Sequence, residues 1–339
     1  MMLARRVAVA TFAVTITAVV GAAGCGRGAS DGATKAETKA ANTAANTAAK
    51  KTAANAASEA AARTVSDSDV LAKRDARMKA ALAQTDSGAP NPTPLARWLL
   101  PASLKEVSGL ALTADGRLLA HDDSHGRVSE IDYRRGTIVK RFALEPKVDH
   151  VDFEGITVAD SVVFLLASNG TLYEFAEGAD GAHVPYTVHD TELGSECEFE
   201  GVAFDRALKS LLLACKIVKT PAMRDSLVIY RWKLANGLTR AARLSRLTVP
   251  IAAVAAANGW KTVHPSDITI DPKNGHYVMV ASKDKAIIEI TPTGVIVSAR
   301  PLPGEHAQPE GLAITKDRIL IVSDEAAGGT AVITLYRLP

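Results

Sequence analysis

Three glutamates recur at equivalent places in this chain: Glu154, Glu200 and Glu310, each followed by glycine and an apolar alternation. They belong to one motif: a polar residue, any residue, Ser or Glu, Gly, then the alternation. Its copies are Glu106-Val107-Ser108-Gly109, Asp152-Phe153-Glu154-Gly155, Glu198-Phe199-Glu200-Gly201, the weaker His264-Pro265-Ser266-Asp267, and Gln308-Pro309-Glu310-Gly311. Residues two apart on a strand face the same way. If the copies surround an axis, first and third positions line it together, and six carboxylates crowd one channel. Like charges that close raise one another's pKa unless something positive sits among them. Hard oxygen donors around a cavity suit Ca2+, or Mg2+, and not a thiophilic metal. The expected ligands are Glu154, Glu200 and Glu310, with Ser108 and Ser266 holding waters or outer contacts. Glu106, Asp152, Glu198, His264 and Gln308 stand behind them. The competing reading is that motif carboxylates cap backbone amides of neighbouring repeats. Against it, three third positions are Glu and two are Ser, where a purely structural role should favour uniformity.

Other residues carry weaker signals. The ends of the strands that follow each motif bring Asp122, Asn169, Lys216 and Asp324 to the same face, with Asp123, Lys283 and Glu325 beside them. They would form the rim of a polar mouth able to take a small ligand, or simply solvated loop charges. Cys197 and Cys215 flank a hairpin centred near Ala207, so they face one another as a disulfide or lie there as two buried thiols. His121 and His125 have a His-x-x-x-His spacing on a loop, without a third ligand in view. The Gly28-Ala29-Ser30-Asp31-Gly32 match to a nucleophile elbow lies in low-complexity sequence, without the strand and helix that motif needs. A net charge of +2 without a basic, aromatic-laced stripe speaks against nucleic acid.

The elements that must hold these residues are strands. From residue 94 onward short Val, Ile and Leu runs are bounded by Gly, Asp and Asn, an all-β signature. The motif copies are 46, 46, 66 and 44 residues apart. Each is followed by a turn, a second strand (Leu118 to His121, Val163 to Ala167, Leu211 to Cys215, Tyr277 to Ala281, Ile319 to Val322) and a third ending at Tyr133, Phe175, Trp232, Ile290 or Tyr336. Repeats of this length with four strands each mark propeller blades. The fifth unit stops after three strands, and Arg97-Trp98-Leu99-Leu100 can supply the fourth. The expected fold is therefore all-β, a five-bladed β-propeller of four-stranded antiparallel blades closed by an N-terminal strand. The longest gap holds an insertion with a short helix across Ile251 to Trp260; a sixth, degenerate blade there is the alternative.

With these motifs, residues 104–339 resemble the SdiA-regulated family of bacterial propellers (the YjiK-like proteins), distant relatives of NHL-repeat proteins. The resemblance rests on the Ser108-Gly109 and Glu154-Gly155 starts and on Ser210 to Lys216. It rests also on Gln308 to Ala313 followed by Ile321-Val322-Ser323-Asp324-Glu325. It implies a five-bladed propeller, exported and membrane-attached, with a calcium site and no firm activity. The fourth motif departs most, with Asp267 where the others have Gly.

The N-terminus reads as an address. Arg5 and Arg6 precede an apolar run from Val7 to Val20, and Gly21-Ala22-Ala23-Gly24-Cys25 follows. It resembles a bacterial lipoprotein signal over residues 1–25, with Cys25 the lipidated residue; Ala22 stands where Leu is usual. A plain cleaved signal or a retained helix are the alternatives, so the location is the outer side of a membrane, anchored by lipid, or secreted. Residues 26–93 are rich in Ala, Thr, Lys, Asn and Ser and cannot bury enough surface to offset ordering entropy. They read as a tether reaching on the order of 45 Å or more as a coil. Asp67 to Gln84 favours a helix whose thin apolar stripe (Leu71, Met78, Leu82) predicts no firm docking. Residues 94–339 form the propeller, expected to act as a monomer. Two functions follow: a calcium-stabilised module binding a small molecule or a protein, or a metal-dependent hydrolase of lactone, ester or phosphoester type working through the channel.

Overall fold

The computed structural model describes residues 68–81, 83, 93–148, 150–235 and 237–338. The signal segment, Cys25 and most of the tether lie outside the described residues. No helix among those described is long and apolar enough to cross a membrane.

The chain enters the propeller as a short strand, β1 (Ala96–Leu99). The first blade follows as β2 (Val107–Leu112), β3 (Leu118–Asp122), β4 (Arg127–Asp132) and β5 (Thr137–Leu144). The second is β6 (Phe153–Ala159), β7 (Val162–Ala167), β8 (Thr171–Ala176) and, after the two-residue β9 (His183–Val184), β10 (Tyr186–Asp190). β9 leaves its own blade to pair in parallel with the outer edge of β5. The third blade is β11 (Cys197–Asp205), β12 (Ser210–Val218), β13 (Ser226–Lys233) and β14 (Leu244–Pro250). The fourth is β15 (Asp267–Ile270), β16 (Tyr277–Ala281), β17 (Ala286–Ile290) and β18 (Ile296–Pro301). The last is β19 (Pro309–Ile314), β20 (Ile319–Asp324) and β21 (Val332–Arg337), and β1 pairs antiparallel with β21, Trp98 opposite Ile333. Five blades close the ring, and the insertion before the fourth motif holds a short helix (Ala252–Ala257) and no sixth blade.

Apolar residues on both faces of each sheet pack against the next blade, so the core is five separate seams. The seam between blades three and four centres on Tyr277 and Met279; that between five and one on Leu118, Ile131 and Ile333. The motif glycines lie where inner strands come closest. A Cβ on Gly201 would sit 2.7 Å from Asp267 Cα, and one on Gly155 would sit 2.9 Å from the Val202 amide nitrogen. Glycine therefore marks four of the five motifs: at Gly155 and Gly201 the neighbouring backbone leaves no room for a side chain, and at Gly109 and Gly311 the His121 and Ser323 side chains fill that space.

The helix before the propeller corrects one expectation. Residues 68–81 are helical, and the helix docks firmly. Met78 is buried in the seam between blades five and one. The Arg74 guanidinium lies 4.9 Å from the Trp98 ring centre and donates to the Arg135 carbonyl at 2.7 Å, while Arg135 donates to Asp75 at 2.8 Å. Arg337 donates to the Ala81 carbonyl at 2.6 Å. One buried methionine and a set of polar clamps replace the broad apolar stripe that docking ordinarily needs.

Candidate functional site

The third motif residues reach the axis by a shared device. In four inner strands the ladder skips one residue: Ser108 between Val107 and Gly109, Glu154, Glu200, and Glu310. A bulge of this kind turns its residue out of the ladder and re-aims the side chain. In the third blade the partner strand is irregular too, and Lys216 is skipped between Cys215 and Ile217.

The result is a polar cup. Asp267 closes its floor. It occupies the glycine position of the fourth motif and is fully buried. Its carboxylate accepts from the Ile268 amide at 2.8 Å and from the Leu312 amide of blade five at 2.7 Å. It also accepts from the Leu110 backbone in blade one. Blade one is not a neighbour of blade four, so a carboxylate bonded to both lies across the axis. Burial pushes Asp267 well above the usual carboxylate range, against these three amides.

Glu154, Glu200 and Glu310 form the wall. Glu154 is pushed up to about 9, first by burial and then by Glu200 and Asp152; Glu200 is pushed up to about 8 by burial, which outweighs Lys216. Burial also raises Glu310, whose Oε2 is enclosed without a hydrogen-bond partner. Lys216 stands among them. Its ammonium is ion-paired with Glu200 Oε1. Burial pulls the amine down, but Glu200, Glu154 and Glu310 outweigh it, and the net shift is upward. The sequence assigned Lys216 to the rim; the structure gathers it with the three glutamates. The available signal is its position: Asp123, Ser168, Lys216, Ser282 and Glu325 are equivalent places after the second strands, and only one is basic.

The remaining residues fall into distinct places. Ser266 is 1% exposed, donates to the Pro309 carbonyl at 2.9 Å and accepts from the Ser282 amide at 3.1 Å, so it staples blades four and five. Ser108 bonds back to the Glu106 carbonyl at 3.3 Å. Asp152 and Glu198 lie close enough to raise Glu154 and Glu200 respectively. Glu106 pairs with Lys105 at 2.9 Å, and Gln308 donates to Glu325. His264 lies against Asp284, at 3.4 Å. Two rim assignments are corrected. Asp122 is buried and accepts from the Ser124 and His125 amides; Asp324 is buried and accepts from the Gln308 amide and His306, at 3.1 and 2.7 Å. Asp122 folds its own loop, and Asp324 holds the segment that leads into β19. Asn169 holds a turn through the Thr171 amide at 3.0 Å. His121 is fully buried, and burial lowers it to about 4. A cavity of about 460 Å³ opens beside Lys105, Glu106, Glu325 and the 326–331 turn.

Cys197 and Cys215 form a disulfide, Cα to Cα 5.7 Å. It ties β11 to β12 beside the residues that aim Glu200 and Lys216 into the cup.

In donor type the cup fits a hard cation: oxygen ligands, excess negative charge and one orphaned carboxylate oxygen. In spacing it holds its ion-pair arrangement, and among the described residues no three His, Cys, Asp or Glu side chains stand together as metal ligands.

The sequence profile of the SdiA-regulated family matches residues 239–337, from the end of blade three to the end of β21. No curated protein matches the chain. Among solved structures it is similar to the PQQ-bound aldose sugar dehydrogenase of Streptomyces coelicolor at 12% identity, covering 73% of this chain and 99% of that one, TM-score 0.46. It is similar also to the glutaminyl cyclase of Myxococcus xanthus (11% identity, 72% and 95% covered, TM-score 0.47). The virginiamycin B lyase of Staphylococcus aureus matches at 14% identity, 71% and 69% covered, TM-score 0.40.

Proposed function

We propose that this protein is a binding module of the cell envelope. Its acidic cup takes one divalent cation, Ca2+ in preference to Mg2+, and its mouth takes a small-molecule or protein ligand. The observation that carries this reading is unmatched acid: three carboxyl groups, Glu200 buried and Glu154 and Glu310 half-buried, gather around one ammonium, which pairs with Glu200, and Glu310 Oε2 is enclosed without a hydrogen bond. A second positive charge there would let all three ionise. Glu154, Glu200 and Glu310 would hold the cation, with waters completing the six to eight oxygens that Ca2+ takes. Mg2+ demands a tighter octahedron and gives up its waters reluctantly, hence the preference.

Binding is favoured over catalysis by the composition of the site. Neither ring around the cup, the third motif residues or the places after the second strands, holds a histidine, and the one basic group is itself paired. The cavity beside the mouth is of a size that suits a small ligand. Export and a lipid on Cys25 belong to the same proposal, and the Cys197–Cys215 disulfide agrees with an oxidising compartment. Cys25→Ser should release the protein from membranes or stall its processing; unchanged retention and mobility would point to another anchor.

The test pairs two measurements. Ca2+ should raise the melting temperature of EDTA-stripped protein. Ester, lactone and phosphoester substrates should not be turned over with Ca2+ or Mg2+. Turnover that EDTA abolishes would replace the binding module with a metal-dependent hydrolase.

A further inference from the structure

We infer that Lys216 is the cup's resident cation, holding the place of the divalent ion and leaving it when that ion binds, so that Lys216 sets the site's affinity. This rests on the proposed cation site and concerns its regulation.

Three observations lead there. Lys216 is the one basic residue among the ten positions of the two rings, five in each. It is aimed by an irregularity that only the third blade carries on its second strand, beside the disulfide, so its presence in the cup is built in. Its ammonium contacts Glu200 and lies within electrostatic reach of Glu154 and Glu310, the same three groups that would ligate the ion. An ammonium and a divalent cation cannot share those oxygens. Between such charges a few ångströms apart, in a poorly solvated cup, repulsion is strong. The lysine has a way out. Its side chain is 36% exposed while that of Glu200 is 4% exposed, and the flexible four-carbon stem can carry the ammonium toward the mouth. Glu200 stays and exchanges partners. Loading is therefore an exchange, one ammonium out and one Ca2+ in, and the affinity measured is that of Ca2+ less the cost of breaking the Lys216–Glu200 pair.

The test is calorimetric titration of EDTA-stripped, full mature protein with Ca2+ alone, in wild type, Lys216→Met, Lys216→Arg and Lys273→Met. The inference expects Lys216→Met to bind at least tenfold more tightly than wild type. Lys216→Arg should bind no more tightly than wild type, because it keeps the charge. Lys273→Met, which removes a charge from the exposed turn between β15 and β16, should change affinity less than threefold. A Lys216→Met protein that folds only with Ca2+ present gives the same answer, since the cup then needs the ion in place of the ammonium. If wild type binds and Lys216→Met binds equally or more weakly, the exchange is wrong while the cation site stands. If wild type does not bind and Lys216→Met does, the cation site of the native protein is wrong while Lys216's part stands. If neither binds, both fall. An equal gain in Lys273→Met would reduce the effect to overall charge and overturn the inference.

Discussion

The seam between blades five and one and the cup at the axis are built by opposite rules. In the seam, apolar side chains from two blades, β1 and the docked helix are buried together. Its edge is clamped by polar pairs, Trp98 Nε1 donating to the Tyr133 carbonyl at 2.8 Å and Arg135 meeting Asp75, although Arg135 Nε is left without a partner. At the axis, carboxylates are buried or half-buried with too few partners. Glu154 and Glu200 sit far above their ordinary pKa, and Glu310 Oε2 has no hydrogen bond. A fold has no reason of its own to bury unmatched acid, and such conflicts concentrate where a protein binds something. The seam holds the ring shut. The cup draws on that stability.

That contrast is broken or sharpened first at the seam. A chain starting at Ala102 lacks β1, leaves β21 an open edge and should show no cooperative thermal unfolding. A chain starting at Pro94 keeps β1 but loses the helix, and should melt cooperatively at a lower temperature than one starting at Ser68. Equal melts for the two longer chains would mean that the helix contributes nothing.

Single substitutions come next. Asp267→Ala removes the acceptor for the Ile268, Leu312 and Leu110 amides and should cost at least about 3 kcal/mol in denaturant unfolding, at 1–3 kcal/mol for each orphaned group. Asp267→Asn, which keeps one carbonyl oxygen, should cost less. Met78→Ala should cost about 2 kcal/mol, the low end for truncating a buried methionine.

The last of these tests is the pH slope of the cup. Glu154 has a folded pKa of about 9 against an ordinary 4.5. The folded state thus holds its proton more tightly than the unfolded chain. The resulting stability is full below pH of about 4.5 and is lost as pH rises through about 9. Melts without divalent cations should fall from pH 6 to pH 8.5, and Glu154→Gln should flatten that fall. A slope unchanged by the substitution would place the effect elsewhere.

The blades were legible in the sequence because their glycines answer a local demand. Wherever Gly155 or Gly201 meets the next inner strand, a side chain does not fit, so the motif repeats and betrays the period. The three glutamates were legible for the same reason. The device that aims them was not, because a bulge leaves no mark on an alternating pattern. Its place at the end of a second strand also put Lys216 on the rim, where the irregular β12 instead turns it toward Glu200. Asp267 was visible as a departure from Gly, but its bond to a blade two places away is a property of the closed ring. The helix was misjudged because polar clamps at Arg74, Asp75 and Ala81 supply what its stripe lacks.

The central claim is that the cup binds one divalent cation and is stabilised by it. Equilibrium dialysis of EDTA-stripped protein against Ca2+, with melts of the same samples, tests it most directly. One Ca2+ per chain is expected, with a melting temperature several degrees higher when loaded; at ~100 times the dissociation constant the added stability is about 2.7 kcal/mol. Glu310→Gln should lose most of both responses. No bound Ca2+ and a melt indifferent to EDTA would contradict the account, and would leave Glu154, Glu200 and Glu310 as an acid cluster balanced by Lys216 alone.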